Sequence, residues 1–232
     1  MNFIDGSVGF GGHNRSSDVR IIQQTLNGFS QVPYRPLSVD GSLAGTKQDD
    51  PTTAAILRFQ SAFLRSPDGL VEPFGMTVTR LWPLAYANPT GRPPRKRDLY
   101  GEGHFGASRG SRSHDGVDYE AVAGLPVKSP ISGRATRVSK PYTSGIDSNA
   151  LSGLQIEAAD GTTCKIWYLA PSAGIVGRLL AAGDVIGTAQ TLQNRYPPMR
   201  PPLRRVGQMT DHVHVRIHDR RGVKIDPARV IR

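Results

Sequence analysis

The chain is poor in several things, and each shortage excludes something. Of its 232 residues one is cysteine, Cys164, so no internal disulfide framework can form and synthesis in a reducing compartment is expected. No run of about 18 apolar residues occurs, so no transmembrane helix is expected. The opening MNFIDGSVGFGG lacks a basic segment followed by an apolar one, so no ordinary signal peptide is read there. A basic recognition helix, a zinc-finger spacing and aromatics interleaved with basic residues are all missing, which sets nucleic acid aside as a partner. The expectation is a chain made in the cytoplasm which, if it acts outside, leaves by another route.

What is present is glycine, proline and positive charge. The 26 glycines and 18 prolines favour turns and short strands over long helices. Hydrophobic residues make up 38% of the chain, enough for a packed core, and the length suits two small domains. The formal charge of +10 points to an anionic partner or, more simply, to solubility plus a basic linker.

Residues 1–86 read as a small helical unit. Ser16-Ser17-Asp18 is a helix start, Val19, Ile22 and Leu26 follow at helical spacing, and Asn27-Gly28 is a stop. Leu37–Gly41 is an extended piece closing in an Asp-Gly turn. Asp50-Pro51 starts a second helix, on which Ile56, Phe59 and Phe63 share a face. Pro67-Asp68-Gly69 repeats the turn chemistry, and a last short helix is expected from Val78 to Trp82. His13 lies in a glycine-rich stretch and reads as a loop residue.

Residues 87–98 carry three prolines and four basic residues without periodicity, and read as a linker whose cluster Arg95-Lys96-Arg97 is solvated. From 99 to 232 the pattern is all β. Strands are expected over Pro126-Val127, Gly133–Val138, Leu154–Glu157, Thr163–Leu169, Asp184–Gly187 and His212–Ile217, with turns at Ser132-Gly133 and Asp160-Gly161.

The chemistry concentrates in Ser111–Asp118 and Asp211–His214. His114 and Asp118 are four apart, and His212 and His214 two apart. On strands, even spacings put side chains on one face. If the two strands are neighbours, two imidazoles and a carboxylate converge with a further imidazole beside them. That is the donor set of a catalytic zinc site with one position open to water. Gly116 gives close access to what these side chains hold. His218, about 14 Å from His214 at strand rise, is too far for the same metal and reads as a surface histidine.

Residues 7–82 resemble the small helical peptidoglycan-binding domain of cell-wall hydrolases. The resemblance rests on Ser7–Gly12, Asp18–Asn27, Val39-Asp40-Gly41, Ala54–Gln60 and Pro67-Asp68-Gly69. Residues 105–230 resemble the lysostaphin-type zinc metallopeptidases through His114-Asp-Gly-Val-Asp118, Gly124–Gly133, Asp160-Gly161, Leu180–Gly187, His212-Val-His214 and Ile225-Asp-Pro227. The resemblance implies an α+β chain, a three-helix domain followed by a mainly antiparallel β peptidase domain. It implies Zn2+ held by His114, Asp118 and His214, His212 as the catalytic histidine, and peptidoglycan as partner. An immunity protein or secretion machinery fits one setting, an antibacterial effector acting in a target's periplasm. A phage endolysin is the other, and a monomer is expected in both.

Two departures from that family stand out. Tyr168 occupies the position of its second catalytic histidine, so Tyr168 either does a reduced job, leaves the work to His212, or marks a domain that only binds. Residues 191–206 replace a short glycine-rich loop with a proline-rich basic one, whose Arg195, Arg200, Arg204 and Arg205 are expected to attract stem-peptide carboxylates.

Overall fold

The computed structural model describes residues 3–29, 32–43, 49–142, 150–196 and 208–231. They form two compact units, 1–83 and 84–232.

The first unit holds a two-stranded sheet, β1 (Val8–Gly9) with β2 (Leu70–Val71), and the helices α1 (Ser16–Asn27), α2 (Pro51–Gln60) and α3 (Met76–Leu81). α1 begins where the sequence places it, but no serine caps it. Arg15 stands at the N-cap without a side-chain bond, and Asp18 is buried, accepting from the backbone N–H groups of Asp5 and Gly6 at 3.1 and 2.9 Å. α2 starts on Asp50, whose side chain accepts from the N–H groups of Thr52 and Thr53.

Two buried glutamines repeat one device. Gln23 of α1 accepts from Gly41 N–H and turns its amide nitrogen to Asp40, Ser42 O and Thr52. Gln60 of α2 accepts from Asp68 and Gly69 N–H and turns its nitrogen to Asp68, Leu70 O and Thr77. Each Asp-Gly turn, with glycine at φ +73 or +71, is thereby fastened to one helix and to the first turn of the next.

The second unit is built on antiparallel sheets. The larger sheet runs β12 (Lys224–Ile225), β11 (His212–His218), β7 (Thr163–Trp167), β6 (Gly153–Glu157), β5 (Gly133–Ser139), β9 (Leu179–Leu180), and β3 (Val117–Glu120) also pairs with β11. A smaller sheet is β4 (Pro126–Lys128), β10 (Val185–Ala189), β8 (Leu169–Pro171), and a short helix α4 (Pro227–Val230) follows β12. One face of the large sheet packs on a core that includes Val117, Leu154, Ile156, Ile166, Val215 and Ile217. Along β11, valine and isoleucine alternate into that core, which leaves His212, His214 and Arg216 on the opposite face.

Three expectations are corrected. Residues 87–98 are not a free linker: Ala87 N–H donates to Pro130 O, Lys128 N–H to Pro89 O, Glu120 N–H to Pro93 O and Arg95 N–H to Asp118 O. A proline-fixed extended strap still offers carbonyls to strand edges, and composition alone does not separate such a strap from a solvated one. Ser132-Gly133 is not a turn, since Gly133 opens β5, where a Cβ would strike the Glu157 carbonyl. Asp160-Gly161 does close the β6–β7 hairpin, with Gly161 at φ 85. The strand expected over Thr163–Leu169 breaks at Tyr168, whose φ is +67.

Candidate metal centre

β11 sits between β3 and β7, and the register sets the site. His214 lies opposite Asp118 on one side and Trp167 on the other. The first pairing brings His214 Nδ1 to 2.9 Å from Asp118 Oδ1, and the second stacks the Trp167 indole on the imidazole, with centroids 5.1 Å apart.

His114 arrives differently from the expectation. β3 begins only at Val117, so His114 precedes the strand and even spacing does not place it. It is held instead by its own loop: its N–H donates to Ala107 O at 2.8 Å, and Nδ1 bonds His104 O at 2.8 Å. With its proton on Nδ1, Nε2 is a bare acceptor, 3.0 Å from His214 Nδ1 and 3.2 Å from Asp118 Oδ1. Gly116 makes this approach feasible, because a Cβ there would sit 2.6 Å from His214 Nε2 and against the Val215 carbonyl.

The donor atoms of His114, Asp118 and His214 therefore converge, and all three residues are buried. Ligand atoms about 2.0–2.1 Å from a tetrahedral zinc lie roughly 3.3 Å apart, close to the spacings found here. With the facing ring nitrogens unprotonated, these three atoms fit a bound cation. Burial alone would raise the Asp118 carboxyl, but His212, His114 and His214 outweigh it and hold the group well below the usual carboxylate range.

His212 stands beside this cluster, its Nε2 3.5 Å from Asp118 Oδ1. Its Nδ1 bonds Thr210 O at 2.7 Å, which leaves Nε2 as the acceptor. Burial draws its pKa below the ordinary value against the pull of Asp118, so the ring is neutral near pH 7.

Tyr168 meets His212 edge-on at 5.2 Å. A tyrosine held at positive φ is costly, by roughly 1–2 kcal/mol, and such outliers gather at functional sites. Its hydroxyl is 3.0 Å from that of Tyr142, which in turn is 2.8 Å from that of Tyr196. Burial first, then these neighbours, push the Tyr168 hydroxyl far above its usual range, so it stays protonated. All of these side chains line one cavity of about 320 Å³ with Arg109, Arg112 and Arg216 at its walls.

Several members were not legible in advance. Arg95 is buried, its Nε and Nη2 both 3.0 Å from Asp118 Oδ2 and its Nη1 2.9 Å from Asp98. The corrected strap places it there. Arg216 pairs with Asp115 at 2.6 Å. Trp167 follows from strand alternation once β7 and β11 are neighbours, whereas nothing local marks Tyr142 or Tyr196. His218 is half-buried rather than on the surface, and its Nε2 has no hydrogen-bond partner. His13 is in a loop, bonded to Ser7 at 2.9 Å. Of the basic loop, Arg195 lies 3.7 Å over the Tyr142 ring, while Arg200, Arg204 and Arg205 lie outside the described residues.

No family model matches the chain. Leukocyte cell-derived chemotaxin-2 of Mus musculus is 30% identical over 135 residues, 58% of this chain and 79% of that protein. The chain belongs to one family with that protein. Lysostaphin from Staphylococcus simulans is 19% identical, with a TM-score of 0.43 and alignment to 62% of this chain. Csd3 of Helicobacter pylori is 17% identical, with a TM-score of 0.43 and alignment to 64%. The chain spans 52% of that lysostaphin structure and 35% of Csd3. Among the described residues no helix is long and apolar enough to cross a membrane.

Proposed function

We propose that the protein is a zinc-dependent endopeptidase that cuts peptide crosslinks of bacterial peptidoglycan. The observation that carries this reading is the convergence of His114 Nε2, Asp118 Oδ1 and His214 Nδ1 at the base of a cavity. Zinc bound there would act as a Lewis acid, activating water and polarising the scissile carbonyl.

The chain's own groups supply the rest. His212 Nε2, neutral and facing the cluster, accepts a proton from the attacking water and returns it to the leaving amine. Tyr168 keeps its proton and donates a hydrogen bond to the oxyanion that forms on the substrate carbonyl. The Tyr142 hydroxyl, 3.0 Å away, holds the Tyr168 hydroxyl in place. Trp167 packs the His214 ring in place. The helical first unit is read as a peptidoglycan-binding domain, which keeps the catalytic cavity at high local concentration on an insoluble polymer. An antibacterial effector and a phage endolysin are the two settings that suit such an enzyme.

One observation favours a second reading. A tyrosine hydroxyl that does not ionise near neutral pH cannot shuttle protons as the usual histidine does. A metal-holding wall binder without turnover is the alternative. Release of soluble fragments from dye-labelled sacculi by the zinc-loaded protein separates the two: release supports the enzyme, and sedimentation with sacculi without release supports the binder.

A further inference from the structure

The open face of the large sheet carries a second row beside the metal row. In the metal row, His214, Trp167, Gly153 and Ser139 stand opposite one another across β11, β7, β6 and β5. Two residues along each strand, Arg216, Lys165, Gln155 and Arg137 form the next row in the same register. Side chains two apart share a face, so both rows belong to one surface, about 7 Å apart.

Arg216 and Lys165 stand directly opposite one another, and like charges so placed destabilise a sheet, with Arg137 a third cation one strand beyond Gln155. The structure offsets this incompletely. Arg216 is answered by Asp115. Among the described residues Arg137 is bonded only to the neutral amide of Gln155, at 3.1 and 2.9 Å. No carboxylate lies within ion-pair distance of Lys165 among the described residues. Burial, then the charges of Arg216 and Arg137, draw the Lys165 ammonium below its ordinary range, with Asp115 opposing. The row is thus an electrostatically unfinished surface, and a bound anion would complete it.

We propose that Lys165 and Arg137, continuing from Arg216, form a subsite that binds a carboxylate of the substrate peptide, borne about two residues from the scissile bond. The 7 Å between rows matches two residues of extended chain. Gln155 lies between the two cations and the Trp167 indole covers Gly153 and bonds Ser139, so a strand-like peptide crosses from the metal row to this one over the indole. The site selects acidic peptides over neutral ones of the same length. This rests on the peptidase reading for its direction from the metal centre, but its binding is measurable without turnover.

The test uses the full chain and its double variant Lys165→Gln/Arg137→Gln. A control, Arg221→Gln/Arg229→Gln, removes the same charge from exposed positions elsewhere in the second unit. Both are checked for an unchanged thermal midpoint and compared by sedimentation with purified sacculi. Three preparations are used: untreated, carbodiimide-amidated, and stripped of phosphate polymers with hydrofluoric acid. The expected result is that the double variant binds untreated and stripped sacculi at least about fivefold more weakly than the control. The difference should vanish on amidated sacculi. Equal binding of both variants to untreated sacculi would overturn the subsite. A difference that survives amidation but disappears on stripping would overturn the carboxylate assignment in favour of phosphate. A difference seen as expected in a protein with no cleavage activity would leave the subsite standing and remove only the peptidase reading.

Discussion

Arg95 grips the outer oxygen of Asp118 with two nitrogens, each 3.0 Å away, while the inner oxygen faces the three histidines. The strap thereby fixes which carboxylate oxygen is free to hold a metal. Groups that orient a metal ligand from behind commonly contribute 10–100-fold in affinity. Arg95→Gln is expected to weaken zinc binding by about that factor in competition with a chromophoric chelator. Arg95→Lys should restore it only in part, because an ammonium cannot present the two-pronged fork. Wild-type affinity in both variants would show that Asp118 is oriented by the strand alone.

Tyr168 is assigned the oxyanion. Tyr168→Phe keeps the ring against His212 and loses only the donor, so kcat should fall by about 10²-fold with little change in KM. Tyr142→Phe removes the group that orders Tyr168 and should give a smaller loss of the same kind. If Tyr168→Phe cleaves sacculi at the wild-type rate, the tyrosine is packing and the oxyanion donor lies elsewhere.

His218 gives a pH signature. Burial, then the charge of Arg216, with Lys165 and Lys224 adding and Asp115 opposing, lowers its pKa. The folded state therefore prefers the neutral ring. Its contribution to stability is complete above the unfolded value of about 6.5 and is lost as pH falls, because the unfolded chain takes up the proton first. Urea unfolding of His218→Gln should depend less steeply on pH than wild type between about pH 7 and pH 5. Parallel pH profiles would mean the ring is solvated in both states.

Gln60 fastens the Asp68-Gly69 turn from inside the first unit. Gln60→Leu leaves two backbone N–H groups and the Thr77 hydroxyl without this partner, and should cost about 2–3 kcal/mol. The loss should appear in the unfolding transition of the first unit, followed by its tryptophan, Trp82, and by far-UV circular dichroism. A shift below about 0.5 kcal/mol would show that the turn holds without the side chain.

The sequence reached the core elements because their signals are local. Asp50-Pro51 opens α2, the Asp160-Gly161 turn closes a hairpin, and the alternation in β11 puts His212 and His214 on one face. The pairing of Asp118 with His214 follows from strand register, whereas a loop bond to His104 O, which even spacing does not encode, positions His114. Arg95 stayed hidden because a basic, proline-rich run reads as solvated until a strand edge is known to lie beside it. Tyr168 read as a strand residue because a positive φ leaves no mark in an aromatic's identity. The cationic row needed three registers at once, and no single stretch of sequence encodes them.

The most direct test of the central claim is digestion of purified sacculi by the zinc-loaded protein, with fragments identified by mass spectrometry. His114→Ala and a chelator-treated sample run in parallel. Crosslinked dimers should fall to monomers with the wild-type protein alone, and the fragment masses would name the bond that is cut. Intact crosslinks in all three samples, with the protein sedimenting on the sacculi, would contradict the endopeptidase and leave a metal-holding wall binder.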